Sequence, residues 1–110
     1  MTQSMKHVLF VCGRNRLRSP TAEAVFSDYP EIEVASAGIG RDADTPLDAD
    51  LVEWADIIFV MEKSHREKLT SRFRSALKDT RVICLDIPDK FSYMEPALVG
   101  VLKAKVTPLL

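Results

Sequence analysis

A cysteine, an arginine six residues on and a serine directly after it stand in one short segment, Cys12-Gly13-Arg14-Asn15-Arg16-Leu17-Arg18-Ser19. A single cysteine ending an apolar run is ordinarily a small buried residue. An Arg-Ser pair at this offset arises by chance about once in several hundred cases at average composition, so the spacing points to chemistry. Successive backbone N–H groups in a tight loop, together with a helix N-terminus, make a concavity that favours an anion. Arg18 is the side chain suited to grip two phosphate oxygens in a planar fork. Cys12 would lie at the base of that positive field, which favours its thiolate form. A thiolate beneath a bound phosphate is placed for in-line attack on phosphorus. Ser19 is positioned to donate a hydrogen bond to the sulfur, and Asn15 is a residue type that tolerates left-handed backbone. Gly13, Arg14, Asn15, Arg16, Leu17, Arg18 and Ser19 are thus the expected phosphate-binding loop.

Such a loop needs a strand before it and a helix after it. Four apolar runs read as strands: Val8–Val11, Ile32–Ala35, Ile57–Met61 and Arg81–Leu85. All but the second are rich in Val, Ile and Phe without clear alternation, as expected for strands covered on both faces. Pro20 suits a first helical turn, and Ala22, Val25, Phe26 and Tyr29 follow at helical spacing. Thr45-Pro46 is expected to open a short helix carrying Leu47, Leu51 and Trp54. Ser64 with Glu67, and Ser92 with Glu95, have the form of capping boxes. They precede Leu69, Phe73, Ala76 and Leu77 in one case and Leu98, Leu102, Val106 and Leu109 in the other. Strand alternating with helix implies an α/β fold, a three-layer α-β-α sandwich on a four-stranded parallel sheet with helices on both faces. Ligands bind beyond the carboxyl ends of such strands, where strand order reverses. The segments to inspect are therefore Cys12 to Ser19, Ser36 to Gly40, Glu62 to Ser64 and Asp86 to Tyr93.

The 110 residues, 46% hydrophobic, fit one domain over residues 1–110, with a loose start over residues 1–5. A net charge of -1 gives no indication of nucleic-acid binding. That balance hides local excess: Lys6 to Arg18 carries +4, Asp28 to Asp56 carries -8, and Glu62 to Arg81 carries +4. The last two read as solvated faces of mixed sign. Two cysteines are too few for a disulfide framework. The apolar runs are too short for a membrane partner, and arginines follow the first at once, so no signal peptide is expected and the location reads as cytoplasmic.

Val8-Leu9-Phe10-Val11-Cys12 followed by Asn15, Arg18-Ser19-Pro20 and Ala22-Glu23 resembles the low-molecular-weight protein tyrosine phosphatase family, whose chain opens with a C-x5-R-S loop. Ser36-Ala37-Gly38, Ala55-Asp56-Ile57-Ile58 through Met61, and Ile87-Pro88-Asp89 with Phe91 extend the resemblance over nearly the whole chain. It implies a sheet of order 2-1-3-4 and a phosphomonoesterase acting through a phosphocysteine. Cys12 would be the nucleophile, Arg18 would bind the phosphoryl oxygens, and Asp89 would protonate the leaving oxygen. The scheme requires no metal or other cofactor. Its partners would be a phosphorylated protein or small molecule, with inorganic phosphate or another oxyanion binding the same loop.

Several positions depart from the family pattern. The stretch between Gly38 and Ala55 is short, Leu17 stands where many members have a second cysteine, Gly13 replaces a bulkier residue, and no proline follows Asp89. These changes fall on the substrate pocket rather than on the phosphate chemistry. Asp86 competes with Asp89 as the acid. Phe91 and Tyr93 are candidates for the pocket wall or for packing against the last helix. Arg14 and Arg16 fit either a more anionic substrate or a solvated loop. Cys84 reads as a buried strand residue or as a redox partner for Cys12, the second in keeping with arsenate reduction by an external thiol. A phosphate-binding regulatory module is the alternative outside enzymes, whereas a phosphocysteine carrier would not need Arg18. His7 and His65 are expected at the surface and Trp54 in the core.

Overall fold

The computed structural model describes residues 5–110, so the loose start expected over residues 1–5 lies, except for Met5, outside the described residues. Four parallel strands, β1 (Lys6–Cys12), β2 (Ile32–Gly38), β3 (Ile57–Val60) and β4 (Arg81–Cys84), form one sheet of order β2-β1-β3-β4. Four helices intervene or follow: α1 (Arg18–Phe26), α2 (Ala49–Trp54), α3 (Lys63–Arg72) and α4 (Pro96–Val106).

β1 is central, and its residues Val8 to Val11 are fully buried, which is why the run shows no polar alternation. Val8, Phe10 and Cys12 point into a core shared with Ala22 and Phe26 of α1 and Leu98, Leu102 and Val106 of α4. Leu9 and Val11 point the other way, into a core with Val52 of α2 and Leu69 of α3. The layers are therefore α1 and α4, the sheet, then α2 and α3. Phe10 anchors the first core, stacking on Phe26 and Phe59 at centroid separations of 5.7 and 5.5 Å. Burying each such ring contributes roughly 1.5–3 kcal/mol. The chain leaves β1 toward β2 on one side and reaches β3 on the other, so strand order reverses at β1. Cys12 ends that strand, placing it at the crevice where parallel sheets bind ligands.

Three helix starts differ from expectation. Thr45-Pro46 does not open α2, because the Gly38 N–H donates to the Thr45 carbonyl at 2.8 Å and Pro46 bridges to Gly38 as an added strand position. Asp48 caps the helix instead, accepting from the Leu51 N–H at 2.8 Å. Helix α3 starts ahead of Ser64, with Glu62 in the N-cap position and no side-chain cap, so the Ser64–Glu67 box does not form. Before α4, Glu95 accepts from the Ser92 N–H at 3.0 Å, which is half of a capping box, but the helix begins at Pro96, a residue suited to the first helical position. Trp54, expected in the core, is half-buried and stacks on a half-buried His7 at 4.4 Å.

Candidate active site

The turn between β1 and α1 is shaped by hydrogen bonds on both of its sides. Asn15 has φ 57°, the left-handed conformation its residue type tolerates. Its side-chain amide donates to Ser19 Oγ at 3.0 Å and to Ser36 Oγ at 2.9 Å, and Ser36 in turn bonds Glu23. Asn15, Ser19 and Arg18 are all buried, so this network carries little competition from water.

On the outer side, the carbonyls of Cys12, Gly13 and Arg14 accept from the N–H groups of Ile39, Gly40 and Asp44 at 2.8, 2.9 and 3.1 Å. A trans peptide holds its C=O and N–H on opposite sides. The N–H groups of Gly13, Arg14 and Asn15 are thereby turned away from the Gly38–Asp44 segment, and that of Asn15 reaches Cys12 Sγ at 3.2 Å. The short stretch after β2 thus serves as a clamp on the loop. Gly38 permits that approach: a Cβ there would stand 2.4 Å from the Ala43 Cβ and 2.9 Å from the Gly13 carbonyl oxygen.

Cys12 is buried, with Ser19 Oγ 3.0 Å from its sulfur. The Asn15 N–H donates to this sulfur, and the Ser19 hydroxyl stands within hydrogen-bond reach of both it and the Ala37 carbonyl. Arg18 begins α1 with its guanidinium almost fully enclosed. Its Nη1 donates to the Ile87 carbonyl at 2.7 Å and lies 2.7 Å from Glu62 Oε2, while its Nε is 3.7 Å from Asp89 Oδ1. Above these groups opens a cleft of about 520 Å³ lined by Cys12, Gly13, Arg14, Arg16, Leu17, Arg18, Glu62, His65 and Asp89.

The two candidate acids separate cleanly. Ile87 is fully buried, its N–H donating to the Met61 carbonyl at 2.9 Å while its own carbonyl holds Arg18. This anchor carries Asp89 onto the cleft. Asp86, with φ 53°, lies on the far side of the anchor and accepts from Cys84 Sγ at 3.4 Å. It does not line the cleft. Phe91 packs against the α1/α4 core and Tyr93 is exposed, so neither stands among the lining residues. Arg16 is paired with Asp44 at 3.2 Å across the clamp. Cys84 packs on the α2/α3 face, opposite to Cys12, and both thiols are free. Partial burial pushes the Cys84 thiol up, away from the thiolate a redox partner would need. Among the described residues no group of three or more His, Cys, Asp or Glu side chains is arranged to hold a metal ion.

His65 overturns an expectation, for it is buried in the cleft wall rather than exposed. Its Nε2 is 3.9 Å from Glu62 Oε2 and would stand 3.8 Å from a Cβ at position 13, while Nδ1 is buried without a hydrogen-bond partner. The readable signal was its place three residues after Glu62, one turn along a helix that starts at the carboxyl end of β3. Burial lowers its pKa below the ordinary value; Arg18 and Lys68 reinforce the shift, and Glu62 and Asp89 oppose it. The unfolded chain therefore takes up a proton that the folded chain refuses, and stability falls as pH drops below the unfolded value. Melting temperature is expected to decline from about pH 7 to about pH 5, and His65→Asn to flatten that decline. An unchanged pH slope in the variant would assign the decline to another group.

Residues 7–54 match the family model for low molecular weight phosphotyrosine protein phosphatase. The YwlE arginine phosphatase from Geobacillus stearothermophilus superposes with a TM-score of 0.78 at 25% identity, over 94% of this chain and 90% of that one. Wzb of Vibrio vulnificus, solved with benzylphosphonate, gives a TM-score of 0.77 at 26% identity, over 96% of this chain and 97% of that one. The chain is thus similar, over residues 7–54, to the low molecular weight phosphotyrosine protein phosphatase family. It is also 28% identical to the protein-arginine-phosphatase of Bacillus subtilis (strain 168), a match covering 60% of this chain and 62% of that protein's length.

Proposed function

We propose that the chain is a cysteine-dependent phosphatase that hydrolyses its substrate through a phosphocysteine. The observation that carries this reading is Cys12 Sγ seated beneath the loop with the Asn15 N–H at 3.2 Å and Ser19 Oγ at 3.0 Å. Cys12 Sγ attacks phosphorus, forming the S–P bond as the P–O bond to the leaving group breaks. Asp89 gives its proton to that leaving oxygen. Arg18 and the loop N–H groups hold the three equatorial oxygens, whose charge is spread in the transition state. A water then attacks phosphorus, its proton passes to Asp89, the S–P bond breaks, and phosphate leaves with the thiolate restored.

The cleft walls favour one class of substrate. Leu17 is the one large apolar side chain among them, and the part-exposed carboxylates of Glu62 and Asp89 line the cleft as well. Such walls support a phosphomonoester whose leaving group is not held by an enclosing aromatic slot. A phosphorylated guanidinium is the second reading, favoured by those two carboxylates as acceptors for its N–H groups and by the activity in the names of the Bacillus and Geobacillus relatives. Two free thiols fit a reducing, cytoplasmic setting. Turnover of p-nitrophenyl phosphate inhibited by vanadate is the expected result, with kcat/KM on phosphotyrosine and phosphoarginine peptides deciding between the readings. Vanadate binding without turnover of any of the three would instead support a phosphate-binding module, and arsenate-dependent thiol oxidation would support a reductase.

A further inference from the structure

Glu62 is used by neither the loop nor the acid–base chemistry, yet its carboxylate makes a close ion pair with Arg18. Nη1 of Arg18 carries two hydrogens. The nitrogen donates to the Ile87 carbonyl and is ion-paired with Glu62 Oε2, each at 2.7 Å. That nitrogen is thus held between two protein oxygens. Asp89 Oδ1, at 3.7 Å from Nε, is beyond hydrogen-bond range and leaves the Nε edge free. A guanidinium binds a phosphoryl group through two parallel N–H groups on one edge. With Nη1 pinned, the edge formed by Nε and Nη2 is the one left to face the cleft. Glu62 also forgoes the usual capping role at the start of α3, making no side-chain cap bond there. Its carboxylate, far more exposed than the guanidinium it contacts, at 41% against 4%, reaches inward to do this. His65 Nε2 stands 3.9 Å behind the same oxygen, in a ring whose other nitrogen is sealed and unpartnered.

We propose that Glu62 is the positioning residue that fixes which edge of Arg18 is presented to the phosphoryl group, with His65 as its backstop. The opposite arrangement would have Glu62 occupying Arg18 as an internal anion that a ligand must displace. The two make opposite predictions for anion binding, because a positioning carboxylate helps the ligand and an occupying one competes with it. The proposal rests on the phosphatase reading for the orientation of the bound phosphoryl group, but its test reads binding alone. If no variant turns over any substrate, the phosphatase reading fails while the binding result still stands.

Vanadate affinity is measured by calorimetry on the full chain for the parent, Glu62→Gln and Glu62→Ala, with melting temperature recorded for each. Glu62→Ala is expected to bind vanadate about tenfold or more weaker, the usual effect of losing a hydrogen bond to a charged group. Glu62→Gln keeps a carbonyl oxygen at that position and is expected to recover most of the affinity. Comparable melting temperatures would separate this loss from a general loosening of the fold. Tighter vanadate binding in both variants, or unchanged affinity in Glu62→Ala, would overturn the proposal. His65→Asn gives an independent check: it is expected to weaken vanadate binding less than Glu62→Ala, and a larger loss would make His65, not Glu62, the group that matters.

Discussion

Cys12→Ser is expected to reduce turnover of an aryl phosphate by about 10⁴-fold or more while leaving oxyanion binding nearly intact. The two halves of that result test different atoms. A serine hydroxyl is a far weaker nucleophile than a thiolate, and neither Asn15 nor Ser19 offers it a base. The anion cradle does not depend on the sulfur, because the carbonyls of Cys12, Gly13 and Arg14 remain tied to Ile39, Gly40 and Asp44. Arg18 likewise keeps its anchors on Ile87 and Glu62. Vanadate or phosphate affinity within a few-fold of the parent, alongside lost turnover, is the signature of an intact loop with no nucleophile. Retained turnover would remove Cys12 from the chemistry.

The second large effect concerns the proton. Asp89→Asn is expected to lower kcat by roughly 10²–10⁴-fold, the usual worth of a positioned acid or base. The loss is expected to be greater for phenyl phosphate than for p-nitrophenyl phosphate, because the poorer leaving group needs its proton more. Asp86→Asn is the matched control. Its carboxylate is held by Cys84 on the far side of the Ile87 anchor, so a change of no more than a few-fold is expected. A larger loss in Asp86→Asn than in Asp89→Asn would reassign the acid.

Much of this arrangement was legible because the loop is local in sequence. The apolar run Val8–Val11, the Arg-Ser pair and Pro20 together dictate a strand, a turn and a helix start, and left-handed backbone at Asn15 follows from its residue type. The parallel sheet followed from the alternation of strands and helices. What the sequence concealed depends on contacts across long separations. Thr45-Pro46 has the pattern of a helix start, but pairing with Gly38 claims that backbone for the sheet edge. Ser64 and Glu67 form no capping box because α3 begins ahead of them, where Arg18, far away in sequence, draws the Glu62 carboxylate into the site. His65 looks like a surface residue on a charged helix until α3 is laid against the sheet and its first turn closes the cleft. Phe91 and Tyr93 show the converse, as proximity in sequence to Asp89 does not bring their rings to the cleft that Asp89 lines.

The stretch between Gly38 and Ala55 illustrates both points. Its shortness was visible, and the sequence pattern assigned the consequence to the substrate pocket. The structure adds that this stretch also holds three carbonyls of the loop after β1, so the same residues that leave the cleft without an aromatic wall keep that loop in shape.

The central claim is that phosphate passes through the sulfur of Cys12. It is tested most directly by mixing Asp89→Asn with p-nitrophenyl phosphate, quenching during turnover, and locating the modification by peptide mass spectrometry. Loss of the base slows hydrolysis of the intermediate, so one phosphoryl group is expected on the peptide carrying Cys12, acid-quenched and released as inorganic phosphate on further incubation. Turnover with no phosphoryl group on Cys12 at any time, or with the group on another residue, would contradict it.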